Sequence, residues 1–131
     1  MILQESGEMY LETILILSES SEIVRAVDIS NHMSFSKPSV SRALAVLKSG
    51  GFISVKNNGS VVLTDSGLSV AKKILERHRL LSELLMKIGV DEQTAITDAC
   101  KIEHVISDAS FDAIKKAIMC DCIICNGKKP E

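Results

Sequence analysis

Apolar residues recur at helical spacing over most of this 131-residue chain. In residues 4–18 they fall on one side of a predicted first helix, the side formed by Tyr10, Leu11, Ile14, Leu15 and Leu17. Residues 24–33 form a shorter predicted second helix. Residues 36–49 form a third, in which spacings of three and four separate Val40, Ala43, Leu44 and Leu47.

The third helix has clear signals at both of its ends. Ser36 can cap its first turn, and Pro38 falls where a missing backbone N–H costs nothing. Gly50 and Gly51 are expected to end it.

The helical spacing breaks down in the segment FISVKNNGSVVLT, residues 52–64. Two short apolar runs there flank Asn57, Asn58, Gly59 and Ser60, and Asn and Gly tolerate the positive φ of a tight hairpin. Three helices followed by a hairpin are typical of a winged helix-turn-helix. The fold class predicted is therefore mainly α, with a small β-hairpin wing.

The remainder of the chain is predicted to be helical up to a short tail. A long helix is expected from Asp65 to Gly89, then one over 92–106 capped by Asp91, then one over 110–119. The predicted division is a winged-helix domain, a helical domain and a cysteine-containing tail, with the bounds 1–72, 73–118 and 119–131.

Composition narrows the class of protein. Hydrophobic residues make up 46% and aromatic residues 3%, so the core must be aliphatic. No apolar run is long enough for a membrane span, and the N-terminus lacks a signal-peptide pattern, so a soluble, cytoplasmic protein without a membrane partner is predicted. The cysteines cluster late, which favours reduced thiols or a metal site over a secreted disulfide scaffold; they are Cys100, Cys120, Cys122 and Cys125.

A basic block coincides with the predicted winged helix. The net charge is −2, yet residues 23–72 hold six Lys and Arg against two Asp and Glu. Short polar and cationic side chains at the start of the third helix suit base edges and phosphates; they are Ser36, Lys37, Ser39, Ser41 and Arg42. Lys48 and Lys56 could add phosphate contacts. A solvated helix or a protein-interaction module is the alternative, but element order, Pro38 and local charge favour double-stranded DNA.

A second set of residues points to metal binding. Cys100, Glu103 and His104 have spacings of three and four, which place a thiolate, a carboxylate and an imidazole on one helix face. His78 on the preceding helix, and Met9 and Glu12 on the first, could complete a site. Each has an ordinary explanation, namely a core histidine, a packing methionine and a solvated glutamate. The set as a whole favours a site, because it holds two of the three histidines.

Five motifs of this chain resemble the diphtheria toxin repressor family of iron- and manganese-dependent regulators. They are E-M-Y-L-E, S-K-P-S-V-S-R, L-T-D-S-G, R-H-R-L-L and C-K-I-E-H, and the resemblance covers residues 4 to about 118. It implies a DNA-binding domain, then a helical dimerisation domain, with metals bound between them.

The resemblance also implies roles for individual residues. The ligand positions of the iron-type principal site match Met9, Cys100, Glu103 and His104. His78 matches a ligand of the neighbouring site, and Glu12 matches a carboxylate of the manganese-type members. The positions that face DNA match Ser36, Pro38, Ser39 and Arg42.

Three departures from the family pattern change the expectation. Ser82 and Ile96 replace a carboxylate and a histidine of the iron-type members, which puts a full second metal site in question. Sulfur at Met9 and Cys100 replaces acidic residues of the manganese-type members and favours ferrous iron, with manganese as the other candidate. An SH3-like domain found in many iron-type members is not expected.

The function predicted is metal-gated repression by a homodimer that binds a palindromic operator, with the metal fixing the spacing of two recognition helices. Phe111, Ile114 and Ile118 are candidates for the two-fold interface. One alternative is a regulator that senses thiol oxidation or carries an iron–sulfur cluster through the cysteines of the tail. A metalloenzyme is disfavoured, because no activated nucleophile is evident and the ligand set looks coordinatively complete.

Overall fold

The computed structural model describes residues 5–119. The chain divides into two compact units, residues 1–73 and residues 74–131. The described elements of the first unit are α1 (Glu5–Ser20), α2 (Ala26–Met33), α3 (Lys37–Ser49), β1 (Ile53–Val55) and β2 (Val61–Leu63). The long helix α4 (Asp65–Lys87) begins in the first unit and continues into the second, which also contains α5 (Glu92–Ile102) and α6 (Asp108–Met119). The predicted winged-helix order is confirmed.

The first unit has an aliphatic core, as its composition predicts. The largest fully buried side chains of this unit come from α1, α2 and α3; they are Leu11, Ile14, Ile29, Val40 and Leu47. The hairpin pairs antiparallel, with Ile53 opposite Leu63 and Val55 opposite Val61. The N–H of Val61 also donates to the carbonyl of Val24 at 2.7 Å, which fastens β2 to the segment before α2.

Both predicted ends of α3 are confirmed. The Ser36 hydroxyl accepts a hydrogen bond from the Ser39 N–H at 3.3 Å, and Pro38 lies in the first turn. Gly51 follows the helix with φ +81°, a conformation that suits glycine. The turn before α3 places Ser34 at φ 58°, and the Ser30 hydroxyl donates to the Phe35 carbonyl at 2.6 Å.

The L-T-D-S-G motif fixes the start of α4. The Thr64 hydroxyl donates to the Gly51 carbonyl at 2.6 Å and accepts from the Gly67 N–H at 3.2 Å, so one side chain caps α4 and holds the end of α3. A Cβ at Gly67 would lie 2.0 Å from the Phe52 carbonyl oxygen. Only glycine therefore permits this close approach of helix and hairpin.

The second unit packs around Leu81, Ala99 and Phe111. Asp91 caps α5 as predicted, accepting from the Thr94 N–H at 3.0 Å. The bounds of the last two helices differ from the prediction by several residues: α5 ends at Ile102 rather than at residue 106, and α6 begins at Asp108 rather than at residue 110. Phe111 is 4% exposed and belongs to the core of its own unit, so it was wrongly assigned to a two-fold interface.

Candidate metal centre and nucleic-acid interface

Cys100, Glu103 and His104 converge in the second unit. One ligand atom of each, the thiol sulfur, a carboxylate oxygen and a ring nitrogen, lies within 4.8 Å of the other two. Cys100 is on the last turn of α5, while Glu103 and His104 lie just beyond its end. The predicted convergence holds although the helix is shorter, because Glu103 keeps helical backbone angles of φ −58° and ψ −25°.

Glu103 is the most buried member of this group, with 0% exposure. Its Oε2 lies 2.8 Å from Nδ1 of His78 on α4. Its Oε1 lies 3.3 Å from Nε2 of His104, whose side chain is also 0% exposed. Within the described residues, no hydrogen bond of good geometry reaches this Oε1. A carboxylate oxygen that accepts no hydrogen bond is costly to bury. A bound metal ion would satisfy this oxygen, so its burial is what we expect of a metal ligand.

The donor set fits a divalent transition metal. Thiolate and imidazole are borderline or soft ligands and the carboxylate is hard, a combination that suits iron, cobalt or zinc rather than magnesium or calcium. The forms that bind a metal ion are the thiolate, the carboxylate and the neutral imidazole. The His78–Glu103 contact would hold the carboxylate in place, as hydrogen bonds around metal ligands commonly do.

Arg77, the neighbour of His78, was missed by the sequence analysis. Its Nη1 donates to the Glu103 carbonyl at 3.1 Å and to the Ile106 carbonyl at 2.8 Å. Its Nη2 pairs with Asp108. A signal was present in the sequence, because Arg77 comes three residues after Ile74 and four before Leu81, on the buried side of α4.

The remaining predicted metal residues both lie on the first helix. Met9 and Glu12 lie on α1 of the first unit, three residues apart. In the second unit, Ser82 donates its hydroxyl to the His78 carbonyl at 2.8 Å, and Ile96 is 39% exposed. Neither residue offers the carboxylate or imidazole of a second metal site.

The N-terminal part of α3 presents most of the predicted DNA-facing side chains to solvent. The exposed ones are Ser36, Lys37, Pro38, Ser41 and Arg42, and Ser39 is half-buried. The Ser36 hydroxyl, which caps the helix, also donates a hydrogen bond to the Ser39 hydroxyl at 2.8 Å. Arg42 in turn donates to Ser39 Oγ at 3.4 Å, which directs its guanidinium toward the start of the helix.

Two further cationic groups belong to this region. Lys56 is exposed at the hairpin turn, where its N–H donates to the Ser60 carbonyl at 2.9 Å and Gly59 has φ +84°. Arg25 donates from Nε to the Asn58 carbonyl at 3.3 Å and so links the wing to the start of α2.

Burial raises the pKa of the Tyr10 phenol, and Arg42 lowers it by a smaller amount. Tyr10 therefore stays neutral beside this basic surface.

The alternative thiol or iron–sulfur site would fall on Cys120, Cys122 and Cys125, which lie outside the described residues. Among the described helices, none combines the length and apolar character that crossing a bilayer requires.

A winged helix-turn-helix with exposed cationic side chains on α3, followed by a helical unit with a buried cluster of potential metal-binding side chains, is the arrangement of a metal-responsive transcriptional regulator. The chain belongs to the iron dependent repressor family. The family's N-terminal DNA-binding domain matches residues 2–61, and its metal-binding and dimerisation domain matches residues 64–119. The resemblance noted in the sequence is thereby confirmed.

Three relatives show how the similarity is distributed. An uncharacterized HTH-type transcriptional regulator of Methanocaldococcus jannaschii is 30% identical over 115 residues, 86% of this chain and 92% of that protein. The regulator MntR of Bacillus subtilis is 33% identical over 109 residues, 83% of this chain and 77% of MntR. The diphtheria toxin repressor of Corynebacterium glutamicum is 35% identical over 107 residues, 81% of this chain but 47% of the repressor. The chain thus spans about half the length of this last relative.

Among solved structures, the manganese regulator SloR has a TM-score of 0.78 at 27% identity. The similarity covers 91% of this chain and 55% of SloR. These relatives are transcriptional regulators of a family that depends on divalent metals, and they lend no support to a sensor of thiol oxidation or an iron–sulfur protein.

Proposed function

We propose that this chain represses transcription as a homodimer that binds a palindromic operator when a divalent metal ion occupies the Cys100–Glu103–His104 centre. The observation that carries the proposal is the buried Glu103 carboxylate, held on one oxygen by His78 and directed with the other toward His104. Membership of the family supports DNA as the binding partner and supports the dependence on a metal ion. Action on an operator would place the protein in the cytoplasm.

Within this proposal the side chains of the second unit form the core of the metal centre. Cys100, Glu103 and His104 act as ligands, and His78 fixes the carboxylate of Glu103. Met9 and Glu12 on α1 are proposed as further ligands on the strength of the family resemblance. When bound, the ion would favour the one spacing of the two recognition helices in the dimer that fits a palindromic operator.

The metal proposed is ferrous iron, with manganese as the competing ion. Sulfur from Cys100 and Met9 supports this choice, since soft donors favour iron over manganese. Ser82 and Ile96 support a single complete site in each subunit, because neither supplies a ligand of the kind a second ion needs.

On the DNA side, Arg42 and the serines at the start of α3 are proposed to read base edges. Lys37 and Lys56 would contact phosphates on either side of them. Linkage then requires that operator DNA and metal tighten each other's binding by the same factor.

The test is selection of operator DNA from a random duplex pool under anaerobic conditions, with Fe²⁺, with Mn²⁺ and with a chelator. The proposal predicts enrichment of a palindrome with metal and none with chelator. His104→Ala should abolish enrichment, whereas Lys101→Ala, on the exposed side of α5, should not. Equal enrichment with metal and with chelator would overturn the proposal.

A further inference from the structure

We propose that Arg77 is a positioning residue of the metal centre, which holds the turn carrying Glu103 and His104 in the metal-binding arrangement. This inference rests on the proposed metal centre. It assigns to Arg77 a role that is separate from those of the ligands, because the guanidinium contacts the backbone of the turn.

The contacts of Arg77 span this turn from end to end. Nη1 bridges the carbonyls of Glu103 and Ile106, at 3.1 Å and 2.8 Å, so one group closes the four-residue stretch 103–106. Nη2 pairs with Asp108 at the start of α6. The guanidinium carbon lies 5.4 Å from the centre of the Phe111 ring, a cation–π contact.

A guanidinium in this position donates hydrogen bonds to carbonyls at a helix end. The last carbonyls of an α-helix have no partner within the helix, and a cation there also interacts favourably with the helix dipole. The chain leaves α5 at Ile102, and Arg77 binds the first carbonyl beyond it. Cys100 is fixed by α5 itself, so Arg77 sets where Glu103 and His104 lie relative to the thiol.

Burial shows that the position is specific. Arg77 is 5% exposed, and a charged group is costly to bury unless several hydrogen bonds offset its lost hydration. The adjacent residues Arg77 and His78 act on the same glutamate, one on its main-chain oxygen and the other on Oε2. Glu103 is therefore held at both ends, which leaves Oε1 as the oxygen available to an ion.

The test compares anaerobic Co²⁺ titrations of the full-length wild type, Arg77→Lys and Leu81→Ala, each followed by visible absorption. Lysine keeps the positive charge but cannot bridge two carbonyls and a carboxylate in one plane. Leu81→Ala is the matched control, because it opens the core of the same unit and removes no hydrogen bond to the turn. Melting temperatures of the metal-free proteins measure how much each variant destabilises the fold.

For Arg77→Lys we expect Co²⁺ affinity to fall about 10- to 100-fold, the usual effect of losing an outer-shell partner, with displaced d–d bands. Leu81→Ala should melt at lower temperature than the wild type yet keep the wild-type affinity and bands. The inference is overturned if Arg77→Lys titrates like the wild type, or if Leu81→Ala weakens Co²⁺ binding equally.

A second variant keeps the inference testable should Arg77→Lys not fold. Asp108→Asn removes the ion-pair partner of Nη2 from a side chain that is 69% exposed, and it should weaken Co²⁺ binding in the same direction by a smaller factor. Wild-type affinity and bands in Asp108→Asn would then contradict the inference. Absence of Cys100-dependent bands in the wild type itself would instead overturn the metal centre, and this inference with it.

Discussion

His78 and Glu103 are 25 residues apart in sequence, and their side chains meet at 2.8 Å between Nδ1 and Oε2. The pair joins α4 to the turn after α5 and fixes the rotation of a fully buried carboxylate. As a result, the two oxygens of Glu103 have different surroundings. One is satisfied by the protein, and the other is presented to His104 at 3.3 Å from Nε2.

Replacing His78 should weaken metal binding while leaving the ligand set of Cys100, Glu103 and His104 in place. We expect His78→Ala to lower Co²⁺ affinity about 10- to 100-fold, because an unsupported carboxylate must be ordered when the ion binds. The measurement is a competition titration against a chromophoric chelator. His32→Ala, an exposed histidine on α2, is the control and should bind as the wild type does. Unchanged affinity in His78→Ala would show that the contact has no role in the centre.

Gly67 should be intolerant of any side chain. Gly67→Ala places a Cβ 2.0 Å from the Phe52 carbonyl oxygen, so backbone must move, and we expect a loss of about 1–3 kcal/mol or more in the free energy of unfolding. Urea denaturation measures this. Ser66→Ala, the exposed neighbour on the same helix turn, should change stability by less than about 0.5 kcal/mol. Equal stabilities of the two variants would refute the close approach.

Arg42 and Lys56 should differ in how they affect DNA binding. Arg42→Ala is expected to cost about 1–3 kcal/mol on the operator and to relax preference at one base pair. Lys56→Ala should weaken all sequences alike and reduce the salt dependence of binding by about one ion. Binding isotherms at several salt concentrations, on operator and unrelated DNA, separate the two effects. A sequence-specific loss in Lys56→Ala would contradict the assignment of the wing to phosphates.

Asp91 gives the second unit a measurable acid sensitivity. Hydrogen bonds from Thr94, chiefly its backbone N–H, lower the pKa of the Asp91 carboxyl below its usual 3.8. Because the folded pKa is below the unfolded one, the stabilisation is present above about pH 4 and is lost as the pH falls through the folded value. Denaturation of wild type and Asp91→Asn at neutral and acidic pH should show the two converging in acid. A constant difference would exclude the charged cap.

The sequence predicted the first unit more completely than the second, and the reason is the range of the determining contacts. Ser36, Pro38 and Gly51 bound α3 through local capping and backbone preferences, which a pattern of residues reveals. At the end of α5, Arg77 binds the Glu103 carbonyl across 26 residues, whereas the apolar spacing continues through Ile102 and Ile106. Helical periodicity alone therefore extended α5 too far.

The range of the contacts also explains which parts of the candidate metal centre could be predicted. Spacing within C-x-x-E-H brought Cys100, Glu103 and His104 together correctly, because it tests only neighbouring turns. Packing between helices pairs His78 with Glu103. It also buries Phe111 in the core of the second unit, beside Arg77. A single sequence contains no record of such pairs.

The metal centre is tested most directly by an anaerobic Co²⁺ titration of four full-length proteins. They are the wild type, His104→Ala, His32→Ala and a variant with serine at Cys120, Cys122 and Cys125. We expect thiolate-to-cobalt and d–d bands in the wild type that are lost in His104→Ala and persist in the other two. Bands that survive in His104→Ala and vanish with the tail serines would contradict it, because the metal would then be held by the C-terminal cysteines.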